Sequence, residues 1–407
     1  MRSLAAVLLL LCRGSLHTSQ AGGTALHTLQ TGGAALHTPQ TGGAALHGRP
    51  NALRVRVSGQ HFVTADGRSF QWRGITAFRL LEYVAHGREA EADRFLAWAH
   101  GKGLTVARVL AMAKNVMDLS PADGRAALPR LLELAARHRM IIEVVALADT
   151  RDVPVDREEH LAALGRIIAG HGNAVLEVAN EPVHPTQADD VQKPEVLMHL
   201  RTRVPAAVPV ALGSVEWGEG FAGADYVTWH VPRNTSHEGW GHVLAIAEGA
   251  SIARQFKKPV VSDEPIGAGA RFEPGRRDDV PARFRAAALL TRLAGLGATF
   301  HHQGGLQATI PAGRELECFN GWNAAWLLLP RQIERDGVFR RAGDDGAAVT
   351  SFSQDRALAV FERQIANVAW VLVVNPRAGF SATWATGWRV TRVRRLQGAW
   401  IITARRG

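Results

Sequence analysis

Between residues 70 and 300, short apolar runs alternate with stretches whose apolar positions repeat at helical spacing. Eight of the runs read as buried strands, beginning near Phe70, Leu104, Met140, Ala174, Pro209, Asp225, Pro259 and Ala298. Most intervals between them are 31–39 residues, which is room for a strand, a loop, a helix and a return loop. In the intervening stretches Phe95, Trp98 and Ala99 share one helical face, and so do Leu128, Leu131, Leu132 and Ala135. The fifth and sixth runs are only 16 residues apart, and Glu216-Trp217-Gly218-Glu219-Gly220 leaves little room there for a helix. Eight such units predict a (β/α)8 TIM barrel of the α/β class, with its chemistry where strands end and loops begin. A doubly wound sheet is the rival architecture. It would carry a Gly-rich phosphate turn after its first strand, and Phe70-Gln71-Trp72-Arg73-Gly74-Ile75 has none.

The patterning changes at both ends. Residues 53–57 and 61–64, with the Asp66-Gly67 turn, predict a β-hairpin that plugs the bottom of the barrel. After a helical run from Trp322 to Ile333, alternating stretches at 347–352, 357–361, 368–374, 388–393 and 400–404 predict a small antiparallel, sandwich-like β domain. The expected division is 51–337 for the barrel and 338–407 for the β domain. Residues 1–21 read as a secretory leader, because Arg2 precedes an apolar run over 4–11 that is too short to span a bilayer. Small residues suited to cleavage follow at Gly14 and Ser19-Gln20-Ala21. Cys12, directly after the apolar run, raises a lipid anchor as an alternative. Residues 22–50 continue a ten-residue repeat marked by Leu16-His17-Thr18, Leu26-His27-Thr28, Leu36-His37-Thr38 and Leu46-His47. Its composition builds no core, so a flexible tether is expected. The expected location is secreted or periplasmic.

Two apolar runs end in acids. Residues 175–179 lead into Asn180-Glu181-Pro182, and residues 259–262 lead into Asp263-Glu264. The strand count puts these acids on the fourth and seventh strands, so both reach the same rim. Two carboxyl groups on one rim are the minimal equipment for hydrolysing a glycosidic bond. Pro182 stiffens the chain as it leaves the barrel, and Asn180 can donate to a sugar hydroxyl. On the last strand of the barrel, one of His301 and His302 should face the mouth and the other the helical layer. With His230 and Glu264 they are also candidate metal ligands, although a contact to substrate is the preferred reading. Trp229, Trp240 and Trp322 are candidate platforms for a sugar ring, together with Trp217. Glu216 and Glu219 are alternative acids.

Composition narrows the class without choosing the chemistry. Two cysteines, Cys12 and Cys318, exclude a disulfide framework. The net charge of +10 comes mainly from scattered arginines, clustered only at Arg392, Arg394 and Arg395 and at Arg405 and Arg406. No nucleic-acid module accompanies them. The expectations are an oligo- or polysaccharide substrate, no nucleic-acid partner, no membrane span, no cofactor, no resident metal and a monomer.

These residues stand in an order that resembles the retaining glycoside hydrolases of the (β/α)8 clan that includes cellulases and β-mannanases. The resemblance covers roughly residues 53–335 and rests on the strand-four motif Glu177-Val178-Ala179-Asn180-Glu181-Pro182 and the strand-seven Glu264. It implies that Glu181 is the acid/base, Glu264 the nucleophile and Asn180 the contact to the sugar 2-hydroxyl. It further implies that Arg108 contacts the nucleophile and that His230 is the strand-six histidine. Three positions depart from the family pattern. Pro232 stands where a tyrosine is usual, residues 146–149 (Ala-Leu-Ala-Asp) stand where strand three often ends in histidine, and residues 300–303 (Phe-His-His-Gln) replace a tryptophan floor. Two alternatives follow, namely a carbohydrate-binding barrel that has lost catalysis and a metal-dependent barrel enzyme using His230, His301 and His302.

Overall fold

A computed structural model describes residues 53–213, 218–231, 236–264 and 279–407. The expected leader with Cys12, the ten-residue repeat, Glu216, Trp217 and Pro232 lie outside these residues. The chain enters through an antiparallel hairpin, β1 (Val55–Ser58) and β2 (His61–Thr64). Eight parallel strands follow. They are β3 (Arg73–Thr76), β4 (Val106–Leu110), β5 (Ile141–Leu147), β6 (Ala174–Ala179), β7 (Val210–Ala211), β8 (Val227–Trp229), β9 (Val260–Ser262) and β10 (Gly297–Phe300). They pair in the order β7-β6-β5-β4-β3-β10-β9-β8, with β10 beside β3, which is the strand layer of a TIM barrel.

Each of the eight expected runs contains one strand. The short interval between the fifth and sixth holds a six-residue helix, Gly218–Gly223. No ladder joins β7 to β8, and Asp225 bridges them instead. Its backbone N–H donates to the Val210 carbonyl at 2.7 Å, and its Oδ2 accepts from the Val210 N–H at 3.0 Å.

The hairpin does cover the barrel floor. Val55 and Phe62 pack with Trp72, Val106, Ile141, Val175, Tyr226 and Val261, all at the N-terminal ends of barrel strands. Its turn differs from the expected one. Gly59, with φ of +55°, and Gln60 join the two strands, while Asp66-Gly67 closes a second turn after β2. Gly67 takes a φ of +81°, which an L side chain rarely adopts.

The expected helix over 322–333 begins earlier and ends sooner, spanning Gly313–Trp326, because Pro330 cannot continue it. A 3₁₀ turn, Arg331–Glu334, follows. Beyond it lie β11 (Val338–Arg341), β12 (Val349–Phe352), β13 (Ala359–Ile365), β14 (Val368–Val374), β15 (Ala382–Trp384), β16 (Trp388–Leu396) and β17 (Ala399–Arg406). They form a five-stranded antiparallel sheet, β11-β13-β14-β17-β16, and a two-stranded one, β12-β15. The short strands β11 and β15 are absent from the expected set because they are half-exposed and lack apolar alternation. One face of the larger sheet buries Phe361, Leu372 and Ile401 in the apolar core of the barrel's helical layer, and the other joins β12-β15 around Val360, Val371 and Ile402.

Candidate active site

Side chains alternate along a strand, so every second residue of each barrel strand points inward. The lowest inward layer is apolar, with Val106, Ile141, Val175 and Val261 over the hairpin. The next layer is polar: Arg108, Glu143, Glu177, Thr228, Asp263 and Thr299, all buried. Arg108 is its hub. Its Nη2 donates to Glu177 Oε2 at 2.7 Å and to Asn180 Oδ1 at 2.9 Å, and its Nη1 donates to Glu264 Oε1 at 2.8 Å. Its Nε lies 3.4 Å from Asp263 Oδ2 and 3.8 Å from Glu143 Oε2. Four carboxyl groups thus surround one guanidinium.

One guanidinium cannot neutralise four buried carboxylates, so burial and mutual repulsion raise the affinity of the cluster for protons. Burial pushes Glu143 well above the usual carboxylate range, with Asp263 and Glu177 adding to the push and Arg108 opposing it. Burial likewise lifts Asp263 to about 6 against the pull of Arg108. Hydroxyls complete the layer. Tyr226 donates to Glu143 Oε1 at 2.9 Å, Thr228 to Glu177 Oε1 at 3.1 Å and Thr299 to Asp263 Oδ1 at 2.6 Å.

The top layer holds the expected pair. Glu264 follows β9 and is buried, with its Oε2 lying 3.6 Å from His301 Nε2. His301 is held from behind by Thr76 Oγ1, 2.9 Å from its Nδ1. Glu181 follows β6, and its side chain is 32% exposed against 6% for Glu264. Its Oε1 lies 3.3 Å from His230 Nδ1. One oxygen of Glu181, one of Glu264 and a ring nitrogen of His230 all lie within 4.8 Å of one another. Burial works against charge on His230, but Glu264 and the hydrogen bond to Glu181 outweigh it and raise the ring to about 9. Its Nε2 stands 3.3 Å from Arg108 Nη2, a repulsive contact for an imidazolium that the two flanking carboxylates offset.

The backbone at Glu181 is unusual. Its φ is +42°, rare for a residue with a side chain and rarer still before proline, which favours extended backbone at the preceding position. Strain of this kind persists only where the surroundings enforce it. Two residues that sequence reasoning did not single out do so. Buried Gln187 donates from Nε2 to the carbonyls of Asn180, at 2.7 Å, and Leu147, at 3.2 Å. Gly213, with φ of +105°, lets the next loop press so close that a Cβ would sit 2.1 Å from the Ala179 carbonyl and 3.1 Å from the Pro182 ring.

The expected site residues therefore divide. Glu181, Glu264, Asn180, Arg108, His230 and His301 converge, and the other four do not. His302 points into the helical layer, where Nδ1 lies 3.1 Å from Glu315 Oε2 and the ring packs on Phe300. Trp229 alternates with the inward Thr228 and His230, so it faces outward against Phe221. Trp240 is buried against Gly398 of the β16–β17 turn, and Trp322 is core, packed on Phe300, Phe319 and Trp326. A metal site from His230, His301 and His302 is excluded, since His302 faces away. The described groups whose donors could meet one ion are Glu181-His230-Glu264 and Glu177-His230-Asp263. Asp149 is structural, because its Oδ2 accepts the backbone N–H groups of Lys114 and Asn115 at 2.9 and 2.8 Å. Glu143 and Asp263 were the other omissions. An acid inside an all-apolar strand was the available signal for Glu143.

No protein-family model and no curated protein sequence matches this chain. Solved structures do match it in fold. A glycoside hydrolase family 5 protein from Bacteroides vulgatus aligns with a TM-score of 0.57 at 11% identity, covering 87% of this chain and 93% of that one. A β-glucanase from Saccharophagus degradans, solved with cellotetraose, aligns with a TM-score of 0.54 at 10% identity, covering 71% of this chain and 97% of that one.

Proposed function

We propose that the protein is a retaining glycoside hydrolase acting on O-glycosidic, β-linked bonds. The observation that carries this reading is the approach of Glu181 and Glu264, with carboxylate oxygens within 4.8 Å across the barrel mouth. Retaining enzymes hold their two carboxyl groups roughly 5–5.5 Å apart, whereas inverting ones leave about 6.5–9.5 Å for a water. The fold shared with glycoside hydrolases supports the same reading.

In this mechanism Glu264 attacks the anomeric carbon while the proton that Glu181 shares with His230 Nδ1 passes through Glu181 to the departing glycosidic oxygen. The carbon–oxygen bond breaks and an ester to Glu264 forms. Glu181, now a carboxylate, takes a proton from water, and the resulting hydroxide displaces Glu264. Both groups return to their starting states. The different burial of the two acids suits their tasks. Buried Glu264 is oriented by Arg108 and faces His301, while the more exposed Glu181 reaches the leaving group and water. Asn180 Oδ1 is engaged by Arg108, which leaves its amide N–H groups to donate to the sugar in this reading. The apolar run near the N-terminus supports secretion, which cell fractionation would test.

The test is replacement of Glu264 by Ala, with the fold checked by circular dichroism, which is expected to lower turnover of aryl β-glycosides by at least about 10³-fold, as removal of a covalent nucleophile does elsewhere. Anomeric configuration read by NMR in the first minutes of wild-type turnover should match that of the substrate. Inversion, or unchanged turnover in the variant, would overturn the assignment.

A further inference from the structure

The final 45 residues, 363–407, contain eight arginines and no Asp, Glu or Lys. Six of them, Arg389, Arg392, Arg394, Arg395, Arg405 and Arg406, lie on one antiparallel pair, β16 and β17. The register sorts them by face. Arg394 pairs with Ile401, Arg392 with Thr403 and Arg389 with Arg405, so these four arginines share the face of Ile401. Farther into the sheet that face carries Leu372 and Phe361, which the barrel's helical layer covers. At the edge strand it turns cationic. Arg389, Arg392 and Arg405 are exposed and Arg394 half-exposed. None of the four makes an ion pair among the described residues.

Folding alone does not call for this array. Arg389 directly opposite Arg405 sets like charges across the ladder, which costs stability. An edge strand can be protected from pairing by charges of either sign, so the absence of carboxylates needs another cause. A guanidinium row complements closely spaced oxyanions, which it can bind through paired N–H donors. The aromatic residues of the pair, Trp388 and Trp400, lie on the opposite face, with Arg395 over the Trp400 ring at 5.1 Å. The arginine face therefore offers charge recognition without the stacking platforms that unpaired bases use.

We propose that the exposed face of β16–β17 docks an anionic polysaccharide, with Arg389, Arg392, Arg394 and Arg405 pairing its carboxylate or sulfate groups. The choice of a glycan as the polyanion rests on the glycosidase reading, while the charge complementarity does not. The experiment titrates the full chain with polygalacturonate, heparin, a neutral glucan and a single-stranded oligonucleotide, each at low and physiological salt. Wild type should bind the two acidic glycans with affinity that falls steeply as salt rises, and should ignore the neutral one. The triple variant Arg389→Ala, Arg392→Ala, Arg394→Ala should lose about tenfold or more in affinity. Its melting temperature should match or exceed that of wild type, and its hydrolysis of neutral aryl glycosides should be unchanged. Should the triple variant fail to fold, Arg392→Glu alone should weaken binding and flatten its salt dependence. Wild-type affinity in the folded variants, or no binding to either acidic glycan, would overturn the proposal. Tighter binding to the oligonucleotide would replace it with a nucleic-acid surface. Docking without hydrolysis would remove the glycosidase and leave the face assigned, and hydrolysis without docking would do the reverse.

Discussion

Two buried charge clusters in this chain are near mirror images. Inside the barrel, one guanidinium, Arg108, faces four carboxyl groups. Where the barrel floor meets the C-terminal sheet, one carboxylate, Glu334, sits among Arg292, Arg73 and Arg363. In the lower cluster Arg292 and Arg363 place their surplus donors on backbone carbonyls, while Arg73 Nε and Nη2 find no acceptor. Arg292 donates to Trp326, Leu329 and Pro330 as well as to Glu334, and Arg363 to Leu293 and Asp336. Burial lowers Arg73 and Arg363 to about 10, still charged at neutral pH. The upper cluster draws on Arg108 and the hydroxyls of Tyr226, Thr228 and Thr299, which leave two carboxylate oxygens unmet. Glu143 Oε2 and Asp263 Oδ2 find no hydrogen-bond donor, and burial raises the proton affinity of both groups. Surplus arginines can be fixed by a fold without titrating, whereas surplus carboxylates make the region respond to pH.

Removing one arginine from each cluster would break or sharpen this contrast most strongly. Arg108→Met should destabilise the protein by about 3–5 kcal/mol in urea titrations at neutral pH, the usual result of stranding buried charge. That cost should shrink toward pH 4 as the acids take up protons. Arg292→Met should cost a similar amount, but the part due to unmet carbonyls should persist across pH because carbonyls do not titrate. Identical pH dependence for the two variants would refute the comparison.

The next effect is the slope of stability with pH. His230 is raised from 6.5 to about 9, so its contribution is complete below pH 6.5 and disappears as pH rises through 9. Asp263 is raised from 3.8 to about 6, so its contribution is complete below 3.8 and disappears as pH rises through 6. Each is worth about 3 kcal/mol at most. Thermal melts should show stability falling in both windows, and Asp263→Asn should flatten the lower one only. The smallest expected effect is Glu143→Gln. The amide copies a protonated carboxyl group and still accepts from Tyr226, so the change should be under about 1 kcal/mol. A larger loss would mean that Glu143 is ionised.

Much of the upper cluster was readable before the structure. Glu181 and Glu264 stood at strand ends with countable strands between them, Asn180 lay beside Glu181, and Arg108 and His230 came from the resemblance to the glycoside hydrolase clan. The tryptophans were misplaced because residue type alone does not give a face. Trp229 was decidable, since an inward His230 turns its neighbour outward. Trp240 was not, because its partner Gly398 is 158 residues away in sequence and belongs to another sheet. The half-exposed strands β11 and β15 left no apolar period to read. The strain at Glu181 was equally hidden, since Gln187 and Gly213 enforce it through tertiary contacts.

The central claim is that Glu264 becomes covalently bonded to sugar while Glu181 manages the proton. Incubating wild type with activated 2-deoxy-2-fluoro β-glycosides and mapping the adduct by peptide mass spectrometry tests it most directly. We predict one added glycosyl unit, on Glu264, and faster release of the adduct in wild type than in Glu181→Ala. An adduct on a different residue, or none across gluco- and manno-configured reagents that the enzyme turns over in their hydroxylated form, would contradict the account.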